Sequence, residues 1–130
     1  METLNEIEFT TATLKIEEGI MILKWKEDAE VDLPACEEIV NYRKELQKGK
    51  PALLLIDQRQ FWSISKEAKE YSKQKDVEQL NKAIALLTGD WLPSILVANT
   101  YIKLYRPNIP MKIFKSELKA KQWLLSFNEV

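Results

Sequence analysis

The spacing of apolar residues along this 130-residue chain changes period several times, and each change predicts an element. Leu4 to Lys26 alternates as strands do. Ile7 and Phe9 share one parity and Leu14 and Ile16 the other, so the phase shift near Thr10–Thr13 predicts a bulge, a bend or two separate strands. Glu17-Glu18-Gly19 is a turn signal, with Gly19 free to take positive φ. The strand Ile20 to Lys26 is apolar on both faces: Ile20 and Ile22, with Lys24, line one, and Met21, Leu23 and Trp25 the other. That pattern suits an interior strand. Together the two segments predict an N-terminal β-hairpin.

Further on, the period becomes helical. Asp32 predicts an N-cap for a helix over Leu33–Lys48, with Pro34 tolerated in its first turn. Cys36, Ile39, Val40 and Leu46 fall close to one stripe, and Gly49 and Pro51 end the helix. Ala52-Leu53-Leu54-Leu55-Ile56-Asp57 is a short continuous apolar run, the signature of a central strand covered on both sides. Ser65 predicts the N-cap of a polar helix from Lys66, with Ala68, Tyr71 and Ser72 inward. The pattern shifts at Gln74–Asp76, where Val77 and Leu80 predict a second short helix. Ala83–Thr88 is another strand. Gly89-Asp90 turns the chain, Asp90 caps a predicted helix from Trp91 to Leu104, and Arg106-Pro107 and Pro110 break it. Met111–Phe114 predicts a short strand. Ser116 then caps a final helix in which Ala120, Trp123, Leu124 and Phe127 follow i, i+3, i+4, i+7. The order β-β-α-β-α-β-α-β-α predicts an α/β fold: a mixed, mostly parallel sheet of about five strands covered by four or five helices, in a single domain over residues 1–130.

Composition narrows the chemistry. There is no histidine, which removes Ser-His-Asp and Cys-His nucleophilic machinery and most zinc and haem sites. No metal or other cofactor is expected. Nineteen basic residues oppose twenty acidic ones, so the excess of cations that marks a nucleic-acid binder is absent. The charge is uneven: residues 1–50 carry a net of −5 and residues 51–130 a net of +4, read as differently charged solvated faces or a field that steers a charged partner. Cys36 is the only cysteine; an intramolecular disulfide cannot form, and a reducing compartment is expected. The opening Met-Glu-Thr-Leu-Asn-Glu has no basic-then-apolar run, which argues against a signal peptide and for a cytoplasmic location. The most apolar stretch, Trp91 to Tyr105, is shorter than the roughly 20 residues that span a bilayer.

In open α/β sheets ligands meet the loops beyond the carboxyl ends of strands. Here those loops are Asp57–Ser65, Thr88–Trp91 and Phe114–Ser116. The first is the richest, with Asp57, Arg59, Phe61 and Trp62 as candidate interaction residues and Ser63 and Ser65 before a helix N-terminus. Asp57 is read either as a partner for Arg59 and the loop N–H groups or as a binding carboxylate; Ser65 as a helix cap or a modification site. The loop has no glycine, and no GxGxxG, P-loop, HExxH, CxxC or GxSxG motif occurs in the chain. The pairs Glu17/Glu18 and Glu37/Glu38, and the lysines 66, 69, 73 and 75 interleaved with Glu67 and Glu70, read as solvated charge. Trp91, Tyr101 and Tyr105 are candidates for core, for a homodimer or partner interface, or for a pocket.

These features resemble a STAS domain, the fold of bacterial anti-sigma-factor antagonists and of the cytoplasmic tails of sulphate transporters. The likeness covers nearly the whole chain and is nearest to small single-domain bacterial STAS-like proteins. It is carried by Leu53-Leu54-Leu55-Ile56-Asp57-Gln58-Arg59, Ser63-Ile64-Ser65-Lys66-Glu67-Ala68, Pro110-Met111-Lys112-Ile113-Phe114 and Ala120-Lys121-Gln122-Trp123-Leu124. The resemblance implies a non-enzymatic regulatory or protein-interaction domain whose partner is an anti-sigma-type kinase. In the antagonists that kinase phosphorylates a serine beyond an Asp-ended strand, where Ser63 or Ser65 stands in this chain. They read Asp-Ser-Ser-Gly or similar at that point; this chain has no glycine there. STAS-like folds are also grouped with lipid-transfer CRAL-TRIO domains. That implies an alternative, a small apolar-ligand or lipid-binding module with a pocket under the 91–105 helix.

Overall fold

The computed structural model describes residues 4–60, 62–90, 96, 103 and 108–128. Its strands are β1 (Leu4–Glu8), β2 (Ala12–Glu17), β3 (Ile20–Trp25), β4 (Ala29–Val31), β5 (Ala52–Gln58), β6 (Trp62–Ile64), β7 (Asn81–Thr88) and β8 (Met111–Phe114). Its helices are α1 (Leu33–Gln47), α2 (Lys66–Ser72), α3 (Lys75–Glu78) and α4 (Glu117–Leu125), the last continued by a 3-10 turn over Ser126–Asn128. Six strands form one mixed sheet in the order β1-β2-β3-β5-β7-β8, and β4 pairs with β6 in a separate two-stranded sheet. The α/β mixed-sheet expectation therefore holds, with six main strands rather than five and antiparallel pairing confined to β1-β2-β3.

The early phase shift resolves into two strands. Phe9 N–H donates to Ala12 O at 2.8 Å, closing a tight turn that sets Ile7 opposite Leu14. The next hairpin turns on Glu18 and Gly19, with φ of 54° and 80°, both left-handed as a two-residue type I′ turn requires. Asp32 caps α1 by accepting from Ala35 N–H at 2.9 Å. Lys48 and Gly49 end the helix in left-handed geometry, and Lys48 N–H returns to Lys44 O. Ser65 and Ser116 accept from Ala68 and Lys119 N–H, so both predicted serine caps form.

Strand alternation divides the sheet into two faces. On one face Met21, Leu23, Trp25, Leu54, Ile84 and Leu86 join Ala12, Leu14 and Ile16 beneath α1 and the β4–β6 ribbon. On the other, Ile20, Ile22, Leu53, Leu55, Ala83, Ala85 and Leu87 meet Ala120 and Leu124 of α4. The register aligns them: Leu53 lies opposite Ile20 on one side and Ala83 on the other. Phe114, Trp123 and Phe127 pack along the edge of the second face, the first pair tilted at 49° and the second edge-to-face at 83°, with ring centroids 5.6 and 4.9 Å apart.

The β4–β6 ribbon departs from the sequence reading, which had a single loop over Asp57–Ser65. Ala29, Glu30 and Val31 pair in parallel with Trp62, Ser63 and Ile64, and Ser65 N–H donates to Val31 O at 3.0 Å. Three-residue strands are too short to show a period, and their pairing joins segments about 30 residues apart.

Candidate ligand-binding site

Between the first face of the sheet and α1, α2 and α3 the described residues line an open cavity of about 400 Å³. Leu23 and Trp25 of β3, Leu54 and Ile56 of β5, and Ile84 and Leu86 of β7 form its floor. Ile39 and Val40 of α1 and Val77 of α3 form its roof. Trp62 and Ile64 of β6, with Val31, close the end beyond the strand termini. The Trp62 ring stacks on Trp25 at 5.3 Å and 17°. The lining is dominated by apolar side chains with a few polar groups among them, the usual composition of a small-molecule site.

Arg43 is the most unusual group in the cavity wall. It is only 4% exposed, on the stripe of α1 that carries Ile39, Val40 and Gln47. Its Nε donates to Gln47 Oε1 at 2.9 Å and approaches Met21 Sδ at 3.1 Å. Its Nη2 donates to Asn81 Oδ1 at 2.7 Å and to Leu80 O at 3.4 Å. All four partners are neutral. Among the described residues no carboxylate lies within ion-pair distance of Arg43, and Nη1 has no acceptor. Burial alone pushes this guanidinium down to about 10. Trp25 carries a second unmet group: Nε1 is buried without an acceptor. Cys36 also lines the cavity, and burial, aided by the charge of Glu37, pushes its thiol up to about 11. Lys69 and Ser72 of α2, Lys73 just beyond it and Glu78 of α3 supply part of the rim.

The residues singled out from sequence are split by the strand. Asp57 shares parity with Leu53 and Leu55 and so belongs to the α4 face, away from the cavity. It is buried and accepts from Arg59 Nε at 3.0 Å, Arg59 Nη2 at 2.7 Å and Arg59 N–H at 3.2 Å. Arg59 reaches on to Glu117 at the start of α4, at 3.4 Å. From there Glu117, Lys121, Glu17 and Lys15 continue as ion pairs along the strands towards the β2–β3 turn. Trp62 instead belongs to the cavity. Ser63, between the cavity-lining Trp62 and Ile64, is exposed, while the Ser65 hydroxyl is engaged as the cap of α2. Phe61, Trp91, Tyr101, Tyr105 and the predicted 91–104 helix lie outside the described residues; from that stretch Leu96, 55% exposed, contributes to the cavity lining. Sequence reading passed over Arg43. The available signal was an arginine at position 43 and a glutamine at 47, one and two turns beyond Ile39 and Val40 on an otherwise apolar stripe.

A family described as a domain of unknown function, DUF7793, matches residues 14–128, nearly the whole fold described above. The chain belongs to the DUF7793 family. No curated protein matches this DUF7793 chain. Among solved structures, it is similar to an uncharacterised protein of the DUF3478 family with a SpoIIAA-like fold from Shewanella loihica PV-4. The two share 13% identity at a TM-score of 0.65, over 87% of this chain and 91% of that one. At that identity the likeness establishes the fold: this DUF7793 chain has the SpoIIAA-like, STAS-like architecture expected from its sequence. Among the described residues, no helix is long and apolar enough to cross a membrane, and no cluster of three metal-ligating side chains occurs.

Proposed function

We propose that this protein is a non-enzymatic binding module with a regulatory role, and that its working site is the cavity between the sheet and α1–α3, which takes a small apolar ligand. The observation that carries this reading is the cavity itself: about 400 Å³ of space lined mainly by aliphatic and aromatic side chains, in a chain of 130 residues. An open, mainly apolar cavity of that volume with a few polar groups is the usual form of a small-molecule site. β6 ties ligand binding to signalling. Trp62 and Ile64 line the cavity while Ser63 is exposed between them, so a ligand that shifts this short strand alters the outer surface that a partner protein or kinase reads.

The test is native mass spectrometry of protein purified gently from cells, with extraction and identification of any co-purifying small molecule, followed by calorimetry with the compound found. An apolar ligand bound one to one, and displaced by Leu86→Trp, which fills the cavity, supports the reading. A protein that stays empty against a panel of fatty acids, sterols and isoprenoids overturns it. The regulatory half is tested separately, by incubation with ATP and active host lysate and mapping of phosphate. Ser63, exposed on β6, is the expected site, and an unmodified Ser63 removes the kinase from the scheme.

A further inference from the structure

A buried guanidinium with only neutral partners is costly, because desolvation of the charge is not offset by a counter-ion. Gln47, Asn81 and Leu80 O hold Arg43 in place but bring no negative charge, and Nη1 has no acceptor among the described residues. A staple between α1 and the start of β7 needs hydrogen bonds, which a neutral side chain supplies at lower cost. The feature left unexplained is the charge, in the wall of a cavity lined mainly by apolar side chains. The cavity also has a direction. Arg43 sits against Met21, at the start of β3; Trp25, four residues on along the same face, is stacked on Trp62 at the far end, roughly 13 Å away.

From this we infer that the cavity takes an amphiphile with a single carboxylate head, seated on the guanidinium of Arg43, and an apolar tail that runs along β3 to the Trp25–Trp62 pair. The inference rests on the ligand-binding reading above and adds the head group and the orientation. A tail of roughly ten carbons matches the span between the two ends. A carboxylate completes the valence of Nη1 and neutralises the only described charge buried in this face, the pairing that arginine makes best.

The experiment uses tryptophan quenching by 10-bromodecanoic acid, 2-bromodecanoic acid and 10-bromodecanol, each below its aggregation limit, at pH 7.5. The wild-type chain is expected to bind 10-bromodecanoic acid at least tenfold tighter than 10-bromodecanol, and the terminal bromine to quench more deeply than the bromine beside the head. Arg43→Gln should bring acid and alcohol within about twofold of each other while leaving the alcohol affinity in place, with Arg43→Lys intermediate. Asn81→Asp sets a resident carboxylate beside Nη2, so it should weaken the acid and spare the alcohol even if Arg43→Gln folds poorly. Equal affinity of the wild type for acid and alcohol, or a preference that survives both Arg43→Gln and Asn81→Asp, overturns the inference and leaves the cavity reading standing. Failure of all three probes to bind overturns both. A purely structural role for Arg43 would lower stability without changing the ratio of acid to alcohol affinity.

Discussion

The two faces of the central sheet are built from alternate residues of the same strands, yet one is closed and the other open. On the α4 side, Ala83, Ala85 and Ala120 are small, so the helix settles close to the sheet, and Leu55, Leu87 and Leu124 fill the remaining space completely. On the α1 side, an open cavity of about 400 Å³ lies between the sheet and the described helices. The buried charges divide in the same way. Asp57 is met by both nitrogens of an arginine fork, which continues into an ion-pair chain. Arg43 is met by an amide on each side, a thioether and a backbone carbonyl. A closed face with paired charge is what stability alone favours; an open face with unpaired charge is where binding is expected.

The largest expected effect breaks the comparison directly. Leu55→Ala, on the closed face, should cost about 3–5 kcal/mol in urea unfolding, because its neighbours cannot collapse into the gap. Leu86→Ala, in the cavity wall, should cost about 2 kcal/mol, since its side chain already lacks neighbours on the cavity side. Equal losses at the two positions would mean the cavity is closed in solution.

Cys36 reports on the open face by its reactivity. Its raised thiol pKa leaves less thiolate in the folded protein at any pH below about 11. Iodoacetamide at pH 8 should therefore modify the native chain roughly a hundredfold more slowly than the chain in urea. A native rate equal to the unfolded one would place the thiol in open solvent. A bound ligand should slow the reaction further.

Smaller effects separate the two charges. Asp57→Asn should cost about 1–2 kcal/mol in the same unfolding assay; the loss is moderated because Arg59 is 44% exposed and regains water when its partner is neutralised. A loss near zero would show that the ion-pair chain contributes only at the surface. Smallest of all, Trp25→Phe should fall within about 1 kcal/mol of wild type. It removes a buried donor that has no acceptor, which offsets the smaller ring. A loss of several kcal/mol would mean that Nε1 has an acceptor in solution.

Most of the architecture was legible in the sequence. The hairpin, the caps at Asp32, Ser65 and Ser116, and the apolar runs of β5 and β7 depend on local rules: alternation, capping hydroxyls, and runs too apolar for any place but the middle of a sheet. The division of β3 into Ile20 and Ile22 against Met21, Leu23 and Trp25 was equally readable, because strand geometry fixes it. The site was much less so. Asp57, Arg59, Trp62 and Ser63 look like one loop along the chain, but β5 turns Asp57 towards α4, while β6, formed only by pairing with β4, turns Trp62 into the cavity.

By itself, then, the sequence determined most of the elements but not the β4–β6 ribbon, which faces of the main strands and helices are buried, and that no histidine-based chemistry is open to this chain. Only the tertiary structure decided that the described residues of the first face, α1 and the two short helices line a cavity of about 400 Å³. It alone decided that Arg43 arrives at that void beside Met21, Gln47 and Asn81 rather than beside a carboxylate. The physical reason is range. Alternation and capping act within a few residues, whereas a void and an unmatched charge are properties of the space between elements 20 to 40 positions apart, and exist only once those elements have packed.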